Sequence, residues 1–162
     1  MMALPSTPQD LAELAAQEER VVFDRFDNAT AWDLGVTLVT AAQAAALPVV
    51  VSISRGGQLL FQAALPGTSP DNDDWVKRKS RVVLRFGHSS LYVGTQARMK
   101  GSTFEDRADL DHALYAAHGG SFPVIVRHVG VVGAVTVSGL PQMDDHAFLV
   151  DQLTAFLKAG TR

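Results

Sequence analysis

The stretch VVVSISRGGQLLFQA, residues 49–63, determines which fold this chain can adopt. Two runs of β-branched and large apolar residues flank Arg55, Gly56 and Gly57, and glycines at such a point allow the positive φ angles of a tight turn. The stretch therefore predicts an antiparallel hairpin. A second pair of β-prone runs, residues 122–127 and 131–138, surrounds Gly130 and predicts a second hairpin.

Helical periodicity surrounds the two hairpins. Segments with apolar residues at spacings of three and four each begin at a Thr, Asn or Asp that can cap a helix. The predicted helices cover residues 7–20, 28–46, a long segment from 71, 103–119, and a closing segment from 144. Residues 21–26 form a further short β-prone segment. We therefore predict an α+β fold, a single antiparallel sheet of about five strands with helices packed on it.

The length and composition set further bounds. A chain of 162 residues that is 47% hydrophobic and 19% charged fits one well-buried globular domain. We expect residues 1–162 to form this single domain, with residues 1–17 as a peripheral N-terminal helix because its apolar face is thin. The start of the chain has no cationic, apolar leader, and no apolar run is long enough to span a bilayer, so we expect a cytoplasmic location.

Charge and cysteine usage exclude several classes of function. The net charge of −3 gives no basic field that would hold nucleic acid or an anionic membrane, so neither is expected as a partner. The absence of cysteine excludes disulfides, thiolate metal sites and cysteine nucleophiles. Phosphate-loop, dinucleotide-binding, zincin and serine-hydrolase motifs are also missing, and the histidine spacings match no standard metal motif, so no metal site and no catalytic residue is assigned.

His118, Gly119 and Gly120 form the first candidate site. The run is similar to the oxyanion loop of lipases, but without a nucleophile elbow it is better explained as the C-cap of a helix. His118 next to accessible backbone amides could still hold an anionic or metal-bearing ligand, and His146 could join it across the fold or across subunits.

The second candidate site lies in residues 67–79, where a turn, a helix start, an aromatic residue and three consecutive cations follow one another. In a functional interpretation, Trp75 stacks on a planar ligand while Arg78 or Lys79 pairs with its carboxylate or phosphate. In a structural interpretation, Trp75 belongs to the core and the basic run is a solvated helix face or a contact between subunits. The candidate ligand-binding residues are Arg55, Asp71, Asn72, Trp75, Arg78, Lys79, His118, Gly119, Gly120 and His146.

A set of short motifs between about residue 18 and residue 157 resembles a known family. The motifs are Phe26 and Asn28; Ala31, Trp32 and Gly35; Pro48 and Val49; Arg55, Gly56 and Gly57; Leu60 and Phe61; Gly67, Thr68, Pro70, Asp71, Asn72, Trp75, Arg78 and Lys79; Ser89 and Ser90; His118, Gly119, Gly120, Phe122 and Pro123; Gly133 with Val135 to Leu140; and Asp145 with His146. Together they resemble the uncharacterised UPF-type branch of the GlcG/HbpS-like haem-degrading-domain superfamily.

The resemblance implies a profilin-like α+β fold, a homo-oligomer that is a dimer or an assembly of dimers, and a pocket for a small ligand. It also implies haem as a candidate cofactor, whose iron such relatives bind with a histidine, commonly from an early helix. Residues 30–46 contain no histidine, so the axial role would pass to His118, His146 or another histidine.

Three functions remain as hypotheses. The leading one is an oligomeric protein that binds a small anionic or planar ligand, or acts as a scaffold, without catalysis. The second, which rests on the resemblance, is haem or tetrapyrrole binding or haem degradation. The third is a small-molecule enzyme that uses His118 as its general base and Arg78 as its substrate anchor.

Overall fold

The two predicted hairpins form the centre of the fold. The computed structural model describes residues 3–160, and its strands are β1 (Val50–Arg55), β2 (Gln58–Ala64), β3 (Ser121–Val126) and β4 (Gly130–Ser138). They form one antiparallel sheet in the order β2-β1-β4-β3, so the α+β prediction with a single antiparallel sheet is confirmed. Residues 1–2 and 161–162, which the single-domain prediction includes, lie outside the described residues.

The sheet has four strands, so the prediction of about five is wrong. The β-prone segment 21–26 makes only an isolated parallel bridge between Phe23 and Val126. The Phe23 backbone donates to the carbonyl of Ile125 and accepts from the amide of Arg127, both at 2.8 Å. The pairing stops there because Asp27, four residues on, already caps the next helix through a 2.8 Å bond from the amide of Thr30.

Within the described residues, five α-helices pack around the sheet. They are α1 (Pro8–Arg20), α2 (Asn28–Ala44), α3 (Pro70–Phe86), α4 (Ser90–Met99) and α5 (Gln142–Lys158). Helices α2 and α5 lie on one face of the sheet, α3 lies on the other, and α1 packs against α4. None of the helices within residues 3–160 combines the length and apolar composition that crossing a bilayer requires.

The two sheet faces differ in composition, and this difference positions α3. The face towards α2 and α5 carries large apolar residues such as Ile53 and Phe122, which belong to the main core. The alternate residues, which face α3, are small and often hydroxylated; Ser121 Oγ and Thr136 Oγ1, for example, lie 2.8 Å apart. Small side chains let α3 lie close to the middle of the sheet, so that its buried residues reach the strand backbones.

The prediction of a helix over residues 103–119 is wrong. Only one 3₁₀ turn, Phe104–Asp106, is present, and the chain then follows an irregular path to β3. Phe104, Leu110 and Ala117 are nevertheless buried in a second cluster, so an irregular segment satisfies the apolar spacing that indicated a helix. Gly119 and Gly120 therefore do not cap a helix.

Helix α4 was not predicted, because Gly94 lowers the helical propensity of its segment. A Cβ on Gly94 would collide with the carbonyl oxygen of Ala117. The glycine is therefore required for the irregular segment to pass close to the helix.

Candidate functional site

A polar pocket of about 210 Å³ lies where the end of β4, the first turns of α3 and the start of α5 meet. Its lining residues are Asp71, Asn72, Trp75, Lys79, His118, Ser138, Gly139, Leu140, Gln142 and Asp145. Two of the sequence segments that suggested a site, residues 71–79 and His118, therefore meet here, beside the chain that follows β4.

The floor of this pocket contains a buried ion pair between α3 and α5. Lys79 Nζ lies 3.0 Å from Asp145 Oδ2, and the two side chains are only 4% and 2% exposed. Burial lowers the pKa of Lys79 and raises that of Asp145, while each charge opposes the shift of the other. Backbone groups complete the network: Lys79 donates to the carbonyl of Val137 at 3.1 Å, and Asp145 Oδ1 accepts from the amide of Leu140 at 3.0 Å.

The ion pair and the carbonyl oxygen of Val137, which would lie 2.5 Å from a Cβ on this residue, together explain why residue 120 is a glycine. Gly120 has a φ of +127°, and a Cβ built on it would lie 2.7 Å from Lys79 Nζ and 3.0 Å from Asp145 Cβ. Both the backbone angle and the space therefore exclude a side chain here. Gly119 is restricted in a related way, because its Cβ would collide with the carbonyl of Gln142.

Two amide side chains at the pocket have their oxygens occupied by backbone donors. Asn72 Oδ1 accepts from the amide of Ser69 at 2.9 Å, which fixes the first turn of α3. Gln142 Oε1 accepts from the amide of Gly119 at 3.0 Å. Each side chain therefore keeps its NH₂ group for another partner. The Lys79 ammonium adds a third donor, since protein acceptors take two of its three N–H groups.

Trp75 and His118 form an aromatic wall. Their ring centroids are 5.0 Å apart, and the guanidinium carbon of Arg78 lies 4.5 Å from the centre of the Trp75 ring. Trp75 is half-buried rather than part of the core, and Arg78 is held in place by donating to the carbonyl of His112 at 2.9 Å. Burial is the main cause that lowers the pKa of His118, so the imidazole is neutral at pH 7.

Two of the candidate residues lie away from this pocket. Arg55 ends β1 and pairs with Gly133, whereas the pocket lies at the opposite end of the strand, where Val50 pairs with Ser138. Five residues of extended chain separate the two ends, roughly 17 Å. His146 is buried at the contact between α5 and α1, where its Nε2 lies 2.7 Å from Gln17 Oε1.

Sequence analysis did not single out Ser138, Gly139, Leu140, Gln142 or Asp145 as site residues. Asp145 entered only as a possible helix cap and, with His146, as one of the family motifs, because a carboxylate in a first turn usually faces solvent. In the structure Pro141 precedes the first turn of α5, and Asp145 points inward to Lys79. Sequence alone contains no signal that pairs two residues 66 positions apart.

Fold and pocket together define a single-sheet α+β protein with a polar pocket over a buried ion pair. A family model described as "Haem degrading protein HbpS-like" matches residues 26–154. A UPF0303 protein of Streptomyces coelicolor is 55% identical over 157 residues, which cover 97% of this chain and 99% of the relative. The chain belongs to the HbpS-like family, among its UPF0303 members, as the resemblance predicted.

Solved structures support the same fold. The crystal structure of the Ybr137w protein matches with a TM-score of 0.84 and 36% identity, covering 92% of this chain and 88% of that one. A complex of PduOC with haem matches with a TM-score of 0.65 and 18% identity, over 83% of this chain and 95% of that one. At that identity the second likeness concerns the fold alone.

The residues of the pocket do not fit haem. The cavity is smaller than the roughly 300–1,000 Å³ typical of sites for drug-sized ligands, and its floor is an ion pair rather than an apolar slot. His118 lines it, but His146 is 4% exposed and engaged with Gln17, so it cannot reach an iron there. Within residues 3–160, no three His, Asp or Glu side chains form a cluster that could hold a metal ion.

We expect the Asp145→Asn variant to lose about 3–5 kcal/mol of unfolding free energy, because it leaves the buried Lys79 ammonium without its counter-charge. Lys79→Met/Asp145→Asn should lose less than the sum of its two single changes, which urea denaturation of all three variants measures. Asp144→Asn, an exposed carboxylate in the same helical turn, is the matched control and should lose under about 1 kcal/mol. If the double variant loses the full sum of the two single losses in unfolding free energy, Lys79 and Asp145 do not stabilise each other as described.

We also expect His146 to make stability depend on pH. Burial lowers its pKa from 6.5 to about 4, so the unfolded chain binds a proton that the native chain does not between these values. The neutral ring therefore contributes about 3 kcal/mol to the free energy of unfolding. This contribution is complete above pH 6.5 and is lost as the pH falls towards 4. Urea denaturation at several pH values should show a weaker dependence in His146→Gln, but an unchanged one in the exposed His128→Asn. If the free energy of unfolding depends on pH in the same way in His146→Gln and in wild type, His146 is not the cause of the dependence.

Proposed function

We propose that this protein is an oligomeric, cytoplasmic binding protein for a small oxygen-rich acid, a carboxylate or a phosphate, that occupies the polar pocket. The observation that supports the proposal most is that three donors in the lining of one pocket have no acceptor among residues 3–160: Asn72 Nδ2, Gln142 Nε2 and the third N–H of Lys79. Ligand oxygens are the partners that such a set of donors lacks.

The charges of the pocket favour an acid bound through hydrogen bonds. Asp145 neutralises Lys79, so the ammonium can give a charge-assisted bond to the ligand while the floor as a whole stays near neutral. Neutral His118 can donate or accept one further bond. Asp71 at the first turn of α3 is an acceptor in the same lining and suits a hydroxyl or amino group on the ligand.

Non-catalytic binding accounts for this set of residues better than catalysis does. A general base needs a partner that orients it, and Glu105, whose Oε1 lies 3.6 Å from His118 Nε2, meets the imidazole in an ion pair longer than an ordinary hydrogen bond. The family and the haem complex of the structurally similar PduOC favour haem binding as the second candidate. The residues that line the pocket of this chain, however, do not fit haem.

Asn72→Asp tests the pocket without disturbing its frame. The new carboxylate still accepts the amide of Ser69, but it replaces the free NH₂ donor by a negative charge. We expect at least one acid in a thermal-shift panel of small carboxylates and inorganic phosphate to raise the melting temperature of wild type, and Asn72→Asp to lose that shift. Asn28→Asp is the control, because it makes the same chemical change in the first turn of α2. This variant should keep the rise in melting temperature that the acid causes.

Either of two results counts against the proposal. The first is a panel in which no acid stabilises the wild-type protein. The second is a shift that Asn72→Asp retains in full. Gln142→Glu is the independent second variant, because it keeps the acceptor for Gly119 and removes the other amide donor; Gln43→Glu on the exposed surface is its control.

The oligomer is proposed to form through the outer side of α2 and strand β2. Strand β2 is an edge of the sheet, its Leu59 is 57% exposed, and Trp32 on the neighbouring helix is 62% exposed. An uncovered edge with large apolar neighbours is suited to pairing with a second copy of the same surface.

Light scattering after size exclusion should give a mass that is a multiple of the 17.3 kDa subunit at micromolar concentration. Leu59→Lys should reduce that mass, because lysine on an edge strand opposes pairing. Leu114→Lys, at a side chain that is 43% exposed elsewhere on the surface, should leave it unchanged. A monomeric wild-type protein would refute the assembly.

A further inference from the structure

A second, smaller cavity lies behind the aromatic wall of the polar pocket. It has a volume of about 160 Å³, and His118 and Gln142 line both spaces. Its other lining residues are Leu4, Gly94, Arg98, Thr103, Phe104, Glu105 and Ala117. At about 30 Å³ per water molecule, it has room for one carboxylate-sized group with its attached carbon.

Arg98 is the anchoring group of this inner cavity. Its Nε donates to the carbonyl of Pro5 at 2.8 Å and its Nη2 donates to Thr95 Oγ1 at 3.2 Å, so the guanidinium plane is fixed from two sides. Its Nη1 donates to none of the residues between 3 and 160, and Arg98 lines the cavity. A fixed guanidinium with spare donors is a geometry that recognises carboxylate.

His118 is the partition between the two cavities. On the inner side, His118 Nε2 meets Glu105 Oε1 at 3.6 Å, an ion pair longer than an ordinary hydrogen bond. Gln142, the other shared residue, is held by its bond to the amide of Gly119. Two cationic groups, Lys79 and Arg98, therefore lie on opposite sides of the wall that His118 forms.

We infer that the ligand of the polar pocket extends past His118 into the inner cavity and is a dianion, such as a short dicarboxylate, whose second acidic group binds Arg98. The inference rests on the proposed function and names its ligand class. Glu105, which lines the inner cavity and interacts electrostatically with Arg98, is then a competing anion at the edge of that subsite.

The test compares succinate with butyrate and glutarate with valerate, pairs that have the same chain length and differ by one carboxylate. Titration calorimetry on the wild-type protein should show each dicarboxylate binding about 10-fold or more tighter than its partner, the gain expected from one hydrogen-bonded charge. Arg98→Met should remove this preference. Glu105→Gln should increase the preference, because it removes the competing charge.

The outcomes separate this inference from the proposed function. Monocarboxylate binding that Asn72→Asp abolishes, without any preference for the dicarboxylates, would overturn the inference and leave the proposed function standing. A preference that Arg98→Met retains would also overturn it. Absence of binding by all four acids would overturn the inference, while the proposed function is tested by the wider panel of carboxylates and phosphate. Melting curves without ligand check that Arg98→Met is folded, and Glu105→Gln, an exposed change, gives a second readout that does not depend on that variant.

Discussion

The buried ion pair between Lys79 and Asp145 is the constraint on which the other parts of this structure depend. It joins α3 to the first turn of α5, and its hydrogen bonds include the end of β4 and the turn that follows. A buried charge without its partner costs several kcal/mol, so these elements can pack only in the arrangement that brings the two charges together. Gly120 is part of the same constraint, since any side chain there would occupy the place of the ammonium.

The pocket forms because α3, β4 and α5 pack around this buried ion pair. The small residues on one sheet face let α3 approach β4 closely enough for Lys79 to reach the carbonyl of Val137. The first turn of α3 then lies beside the end of the sheet, where α5 begins. Each of the two amide side chains at this junction, Asn72 and Gln142, uses its oxygen to fix a turn or a loop, and its NH₂ group then has no acceptor among residues 3–160. The same bonds that build the junction therefore produce a cavity rich in donors.

Sequence reasoning recovered the local features and missed the long-range ones. Both hairpins were predictable because β-branched runs around glycines specify them locally. The interpretations of residues 77–79 put Lys79 against a ligand, a second subunit or solvent, although its spacing from Val76 and Val83 puts it on the buried side of α3. Its partner Asp145, and with it the location of the pocket, could not be predicted, because the pairing depends on the packing of the sheet. The irregular segment before β3 was misread as a helix since buried irregular chain can mimic helical spacing.

The central claim is that the donors above the ion pair hold a small acid, and a native mass spectrum of the purified, untreated protein tests it most directly. The account predicts an oligomer in which each subunit carries one added mass, and denaturation should release a compound with at least one carboxylate or phosphate group. Subunits that carry no added mass, or one that proves to be a haem, would contradict it.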